Sequence, residues 1–318
     1  MRLIACTILA AGLASGCATL SPESPSKAAI ASADHWVPAV SAADGKPVKL
    51  YVREKYARAP AGKRAVILAH GSGTPGSVAF DLQVADAPTG TYSMMDYLAA
   101  QGFDVFSVDY QNYGRSDKHA CGLCVTTAAA ARDLDAVVDY VRRLRNVDKV
   151  DLVGWSWGTN VSGLMVAEHP QKVRRMVMYA PPLWTKARRA APTTEFRVVT
   201  PENSRNLFEA PASDPAAVEA WTNGVARWGA QAPNGVLLDL DTRMPLLDAK
   251  RIPVPTMIVF GELDRLTPIS EPNIPVFFMA LPSNDKQLTL IPGAGHALVV
   301  QKPRKRLYDE VTKWLRVE

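Results

Sequence analysis

Ser156, Asp264 and His296 are the residues of this chain whose types and settings could do chemistry together. Ser156 stands in Gly154-Trp155-Ser156-Trp157-Gly158, directly after a strand predicted over residues 147–153 and directly before a helical pattern. A serine at that junction occupies a sharp, strained turn. Side chains two residues to either side would collide where the strand folds back against the helix, so both flanking positions need glycine. The turn raises the hydroxyl above the sheet at a helix N-terminus, where negative charge is favoured. A serine hydroxyl is far too weak an acid to ionise near neutral pH, so a base has to take its proton as it attacks. His296, just past the apolar run Gln287 to Ile291, is the candidate base, and Asp264 follows the run Pro255 to Phe260. Asp264 would fix the imidazole tautomer and stabilise the imidazolium. Glu262, Asp239 and Asp241 are the alternative acids. His35, His119 and His169 lack a strand-end setting, and His70, before Gly71, reads as a buttress of its own loop.

The elements that must position these residues alternate along the chain. Runs 64–70, 103–109, 147–153, 173–179, 255–260 and 287–291 are nearly continuously apolar, as in parallel strands covered on both faces. Between them fall helices predicted over 93–101 and 126–145, the second with Leu134, Val137, Val138, Val141 and Leu144 at helical spacing, and a last helix over 303–316 closes the chain. Two extended runs around Ala43-Asp44-Gly45 read as a hairpin ahead of the first buried strand. The pattern predicts an α/β fold with a mostly parallel eight-stranded sheet flanked by helices. Open sheets of this kind place their sites at the carboxyl ends of the strands, where all three candidate residues fall. Residues 183 to about 245 break the rhythm, with prolines, Trp184, Trp221, Trp228 and only weak helical patterns. That is too long for an ordinary loop and reads as a cap inserted after the sixth strand. Its tryptophans would cover the site or pack within the cap.

In these motifs, and in the chain order Ser, Asp, His, the sequence resembles the α/β-hydrolase fold superfamily over most of residues 46–318, least so across the insertion. The resemblance implies Ser156 as nucleophile, His296 as general base and then acid, and Asp264 as the residue orienting the imidazole. It also implies an oxyanion hole built from the backbone N–H groups of Trp157 and Ser72, with Gly71 the rival for the second position. The activity implied is hydrolysis of a small-molecule carboxylic ester through an acyl-enzyme, without a cofactor. No glycine-rich phosphate loop or metal-ligand cluster stands out in the sequence. Serine at the nucleophile position argues against the family's haloalkane dehalogenases, which use aspartate there. Two other readings remain. One is another serine acyl-transfer enzyme, such as a proline-type aminopeptidase, a thioesterase or an acyltransferase. The other is a lipoprotein that keeps the fold as a binding module. A peptidase would need cap carboxylates for a free amine, from among Glu195, Glu202, Glu209 and Glu219. Trp155 and Trp157 either line the acyl pocket or pack beneath the turn, and the loop from Asp109 to Asp117 resembles one that shapes the core.

The 318 residues are enough for one large α/β domain, and an apolar content of 47% with 21% charged residues is ordinary for a globular chain. The net charge of +5 is modest, and no aromatic-interleaved basic surface points to nucleic acid. Met1-Arg2, the apolar run Leu3 to Leu13 and Ala14-Ser15-Gly16 read as an export signal over residues 1–16, too short for a permanent span. The following Cys17 resembles a bacterial lipoprotein processing site. Residues 17–34 would then be a lipidated N-terminus and tether, and 35–318 the catalytic domain. That resemblance, with Ala18 after the cysteine, implies a lipid anchor in the outer membrane facing the periplasm, and ordinary cleavage to a soluble periplasmic or secreted protein is the alternative. Cys121 and Cys124 read as a local disulfide in such a compartment, with free thiols as the other reading.

Overall fold

The computed structural model describes residues 29–57, 64–184 and 189–317, so the export signal, Cys17 and most of the expected tether lie outside the described residues. An antiparallel hairpin comes first, β1 (Ala31–Val40) and β2 (Pro47–Tyr56), turning through Gly45 at φ +71°. β1 begins four residues before the predicted start of the domain at residue 35, because pairing from Ala31 opposite Tyr56 recruits backbone whatever its side chains. There follow β3 (Ala65–Ala69), the short α1 (Gly76–Phe80), α2 (Met94–Ala100), β4 (Asp104–Val108), α3 (Thr127–Arg145), β5 (Val150–Trp155), α4 (Trp157–Glu168) and β6 (Val173–Tyr179). After an insert the sheet resumes with β9 (Thr256–Gly261), α8 (Asn273–Ala280), β10 (Lys286–Ile291) and α9 (Arg304–Arg316). Neither α1 nor α8 is legible from periodicity, since α1 is five residues long and opens on Gly76, and Pro275 interrupts α8.

The eight strands lie in the order β1-β2-β4-β3-β5-β6-β9-β10, with β1 and β2 antiparallel and the rest parallel. The predicted α/β-hydrolase architecture is thus the one observed. Alternate strand residues feed opposite faces. Ile67, Leu152 and Ile258 join the core beneath α3 and α4, while Leu68, Val153 and Met257 join the core beneath α2 and α9. Covering on both faces is why the strands read as unbroken apolar runs. The chain leaves β3 for β4 on one side and returns to β5 on the other, so the crevice at the carboxyl ends of β3 and β5 is the topological switch point.

The apolar stripe of α3 is buried at Leu134, Val137, Val138 and Val141, but Leu144 is 38% exposed, unlike the prediction. Arg145 takes the inward position of the last turn and pairs with Asp104 and Glu54.

Between β6 and β9 the insert forms β7 (Phe196–Val198), α5 (Pro201–Arg205), α6 (Pro215–Trp228), β8 (Gln231–Pro233) and α7 (Gly235–Thr242), with β7 and β8 paired as a two-stranded antiparallel sheet. Its helical content exceeds the sequence expectation, for α6 alone runs fourteen residues. Trp221 on α6 is fully buried and meets Trp155 edge-on at 5.6 Å, which fastens the insert to the turn that carries Ser156.

Candidate active site

β5 delivers the chain into Ser156, and α4 starts at the next residue. Ser156 has φ +53° and ψ −126°, a left-handed conformation that costs a non-glycine residue about 1–3 kcal/mol. The surroundings hold it there. Its N–H donates to Tyr179 O at 2.9 Å, and its carbonyl accepts from Thr159 N at 2.9 Å and Thr159 Oγ1 at 2.7 Å. Both flanking positions need glycine, but only Gly154 for the reason drawn from sequence: a Cβ there would stand 2.7 Å from Gly158 O, whereas one on Gly158 would stand 2.6 Å from His70 O, at the end of the neighbouring strand β3.

His296 lies in the loop after β10 and Asp264 in the loop after β9, and packing brings both to Ser156. His296 Nε2 is 3.1 Å from Ser156 Oγ, and His296 Nδ1 is 2.8 Å from Asp264 Oδ2. Asp264 also accepts from Leu266 N, Thr267 N and Thr267 Oγ1 at 2.8, 2.9 and 2.6 Å. Burial alone would raise its pKa, but the facing His296 and the Thr267 hydrogen bonds outweigh it and bring the carboxyl to about 2. Two of the alternative acids are engaged elsewhere. Glu262 accepts from Gly293 N, and Asp239 from Thr127 N and Arg243.

Several supporting groups escaped the sequence reading. The His296 carbonyl accepts from Trp155 Nε1 at 3.0 Å and from Tyr179 Oη at 2.5 Å. Gly295 N donates to Gln301 Oε1, whose amide group in turn donates to Glu209 Oε2 of the insert at 3.0 Å. Only Thr267 had a local signal, three residues beyond Asp264 in a turn. The others are joined to His296 through space alone. Trp155 both holds this loop and lines the cavity above Ser156, whereas Trp157 packs beneath the turn against Tyr110 and Tyr113, its indole donating to Thr127 Oγ1.

On the other side of Ser156 runs the loop after β3. His70 is fully buried, and burial lowers its pKa, so the ring is neutral at pH 7. Its Nδ1–H donates to Gly71 O at 2.7 Å, leaving Nε2 facing Tyr110 N–H at 3.5 Å. The carbonyl and N–H of a trans peptide point opposite ways. His70 therefore sets the direction of the Ser72 N–H, and the buttress expected from sequence takes this form. The Ser72 carbonyl is held in turn by Tyr113 Oη at 2.9 Å and by the Arg197 guanidinium. Across the site, Trp157 is the first residue of α4, where a backbone N–H has no acceptor within the helix.

These groups line a cavity of about 170 Å³. Its floor includes Ser156, His296 and Trp155, and the insert supplies Arg197, Asn203 and Ser204 to its wall. Of the cap carboxylates that a bound amine would need, Glu195 accepts from Leu123 N, Glu209 faces Gln301, Glu219 lines a separate hollow and Glu202 is exposed. Cys121 and Cys124 are joined as a disulfide.

Residues 89–303 match the sequence profile of the Hydrolase_4 family, described as serine aminopeptidase, S33. The monoacylglycerol lipase of Mycolicibacterium smegmatis (strain ATCC 700084 / mc(2)155) is 25% identical over 232 residues, 68% of this chain and 79% of the lipase. A bromoperoxidase from Bacillus anthracis superposes with a TM-score of 0.67 at 17% identity, over 90% of this chain and 100% of that one. A monoacylglycerol lipase from Paleococcus ferrophilus gives a TM-score of 0.61 at 18% identity, over 84% and 98%. At these identities the structural likenesses speak for the fold.

Proposed function

The chain belongs to the Hydrolase_4 family and is an α/β-hydrolase enzyme, and from that premise we propose that it cleaves short carboxylic esters through an acyl-enzyme on Ser156. The observation that carries this reading is the line from Ser156 Oγ to His296 Nε2 at 3.1 Å and from His296 Nδ1 to Asp264 at 2.8 Å. As Oγ attacks the ester carbonyl, His296 takes its proton and Asp264 stabilises the imidazolium so formed. The developing oxyanion is met by the Trp157 N–H and the Ser72 N–H, with the Gly71 amide as the alternative to the second. One such donor typically contributes about 3–4 kcal/mol to the transition state. His296 returns the proton to the departing alcohol, and water then enters by the same route to release the acid.

Esters are favoured over peptides by the cavity wall, which among the described residues carries an arginine and no carboxylate to receive a free amine. The family's description and the relatives' names span both chemistries. The modest size of the cavity above Ser156, about 170 Å³, favours short acyl groups. The same proposal extends to location: Cys17 carries lipid and holds the enzyme at the outer membrane on the periplasmic side, with a soluble exported form as the alternative.

The test is labelling with a fluorophosphonate probe, wild type beside Ser156→Ala, followed by peptide mass spectrometry and a p-nitrophenyl ester series of increasing chain length. A single adduct on Ser156 and a fall in kcat/KM beyond short acyl chains are expected. Folded Ser156→Ala that keeps substantial esterase activity would sink the assignment.

A further inference from the structure

The part of the cavity wall supplied by the insert carries polar groups that acyl transfer at Ser156 does not use. Arg197 on β7 donates to two neutral carbonyls, Pro233 O at 2.7 Å and Ser72 O. A guanidinium has five N–H donors, so these two bonds leave donors to spare. Neutral oxygens leave its charge unmatched, and among the described residues Arg197 forms no ion pair. On α5, Ser204 is only 2% exposed, yet its Oγ has no hydrogen-bond partner among the described residues and it lines the same cavity. Buried side-chain hydroxyls nearly always have a partner, and one that lacks it within the protein invites a partner in a ligand. Asn203 adds a third polar side chain to that stretch of wall.

We infer that Arg197, Ser204 and Asn203 form a subsite for a carboxylate carried by the substrate, so that this site prefers short esters bearing a negative charge close to the scissile bond. The inference rests on the ester-hydrolase reading of the same cavity. A planar guanidinium matches a carboxylate with two parallel hydrogen bonds, and a serine hydroxyl can donate a third. Arg197 and Ser204 line the same small cavity as Ser156, so the charge has to sit within a few bonds of the ester carbonyl. The competing account gives Arg197 a structural duty alone, pinning the insert to the loop of Ser72. That duty would affect every substrate alike, and the two accounts therefore part on specificity.

The experiment compares kcat/KM, by acid release in a pH-stat, for two matched pairs. One is ethyl hydrogen succinate against ethyl butyrate, with the charge on the acyl side. The other is the butyrate ester of 3-hydroxypropanoate against propyl butyrate, with the charge on the alcohol side. Wild type is expected to prefer the charged member of one pair by about tenfold or more, as loss of a charge-assisted hydrogen bond usually costs, and the pair that responds identifies the side. In Arg197→Met that preference collapses, chiefly through KM; in Ser204→Ala it falls several-fold; Arg197→Lys restores part of it. Ser204→Ala leaves the Ser72 loop contact untouched, so it keeps the test valid should Arg197→Met fold poorly. No preference in either pair, or an equal loss on charged and neutral esters in Arg197→Met with no change of ratio in Ser204→Ala, overturns the inference. Fluorophosphonate labelling of Ser156 in the same preparations separates the two levels. A labelled serine without charge preference defeats the subsite alone, and an unlabelled one defeats the ester-hydrolase reading beneath it.

Discussion

Asp264 illustrates how far one carboxylate can be specialised by its neighbours. Two backbone amides occupy Oδ1, while Oδ2 accepts from the Thr267 hydroxyl and faces the imidazole. Asparagine has the same shape and can keep the amide contacts, but it presents an NH2 group to a ring nitrogen that must itself carry a proton. Asp264→Asn is therefore expected to fold normally and to lose about 10³–10⁴-fold in kcat, read from ester turnover beside a far-ultraviolet spectrum. Stability carries a second signature. The folded carboxyl titrates at about 2 against 3.8 in the unfolded chain, so the ionised form is favoured by folding. Its contribution, about 2 kcal/mol, is complete above pH 4 and is lost as the pH falls toward 2. Urea titrations at pH 5 and pH 2.5 should show the stability gap between wild type and Asp264→Asn closing on acidification. A constant gap would contradict the assigned ionisation.

At the scale of elements, α3 carries a buried acid that the reaction does not use. Asp133 accepts from Gln111 N–H at 2.9 Å, and burial outweighs that bond to push its carboxyl up to about 7. Between about pH 4 and pH 7 the unfolded chain has released this proton while the folded one holds it, so stability declines as the pH rises through that window. Asparagine can offer Gln111 the same acceptor without ever ionising. Relative to wild type, the Tm of Asp133→Asn is expected to rise by a few degrees between pH 5 and pH 8. Asp104 and Asp151, also raised by burial to about 7 and about 6, act in both proteins and cancel in the difference. A difference in Tm that stays flat with pH would mean that Asp133 is ionised throughout.

Taken whole, the molecule is a sheet whose switch point offers the site and an insert that finishes it. The strands place Ser156, Asp264 and His296, and the insert contributes the wall with Arg197 and Ser204 and reaches the His296 loop through Glu209 and Gln301. Attachment to a membrane belongs to this scale as well, since among the described residues no helix is long and apolar enough to cross one. With Cys17 as the proposed lipid site, Cys17→Ala is expected to move the enzyme from the membrane pellet to the soluble periplasmic fraction with its esterase activity intact. Wild type already found in the soluble fraction would dismiss the anchor.

Much of this could be read before any coordinates. The buried strands, the helix α3, the turn at Ser156 and the order of the three candidate residues depend on short-range rules, namely periodicity over a few residues and the collision that a side chain at Gly154 would cause. Such rules act within a segment, and a segment is what a sequence displays. Folding alone decided which acid faces His296, that Trp155 and Tyr179 grip its carbonyl from far away in the chain, and that Arg197 and Ser204 stand in the cavity wall rather than in solvent. Those relations join residues whose separation along the chain says nothing of their separation in space. They exist because two apolar cores, one on each face of the sheet, bring the loops at the strand ends and the insert to a single crevice.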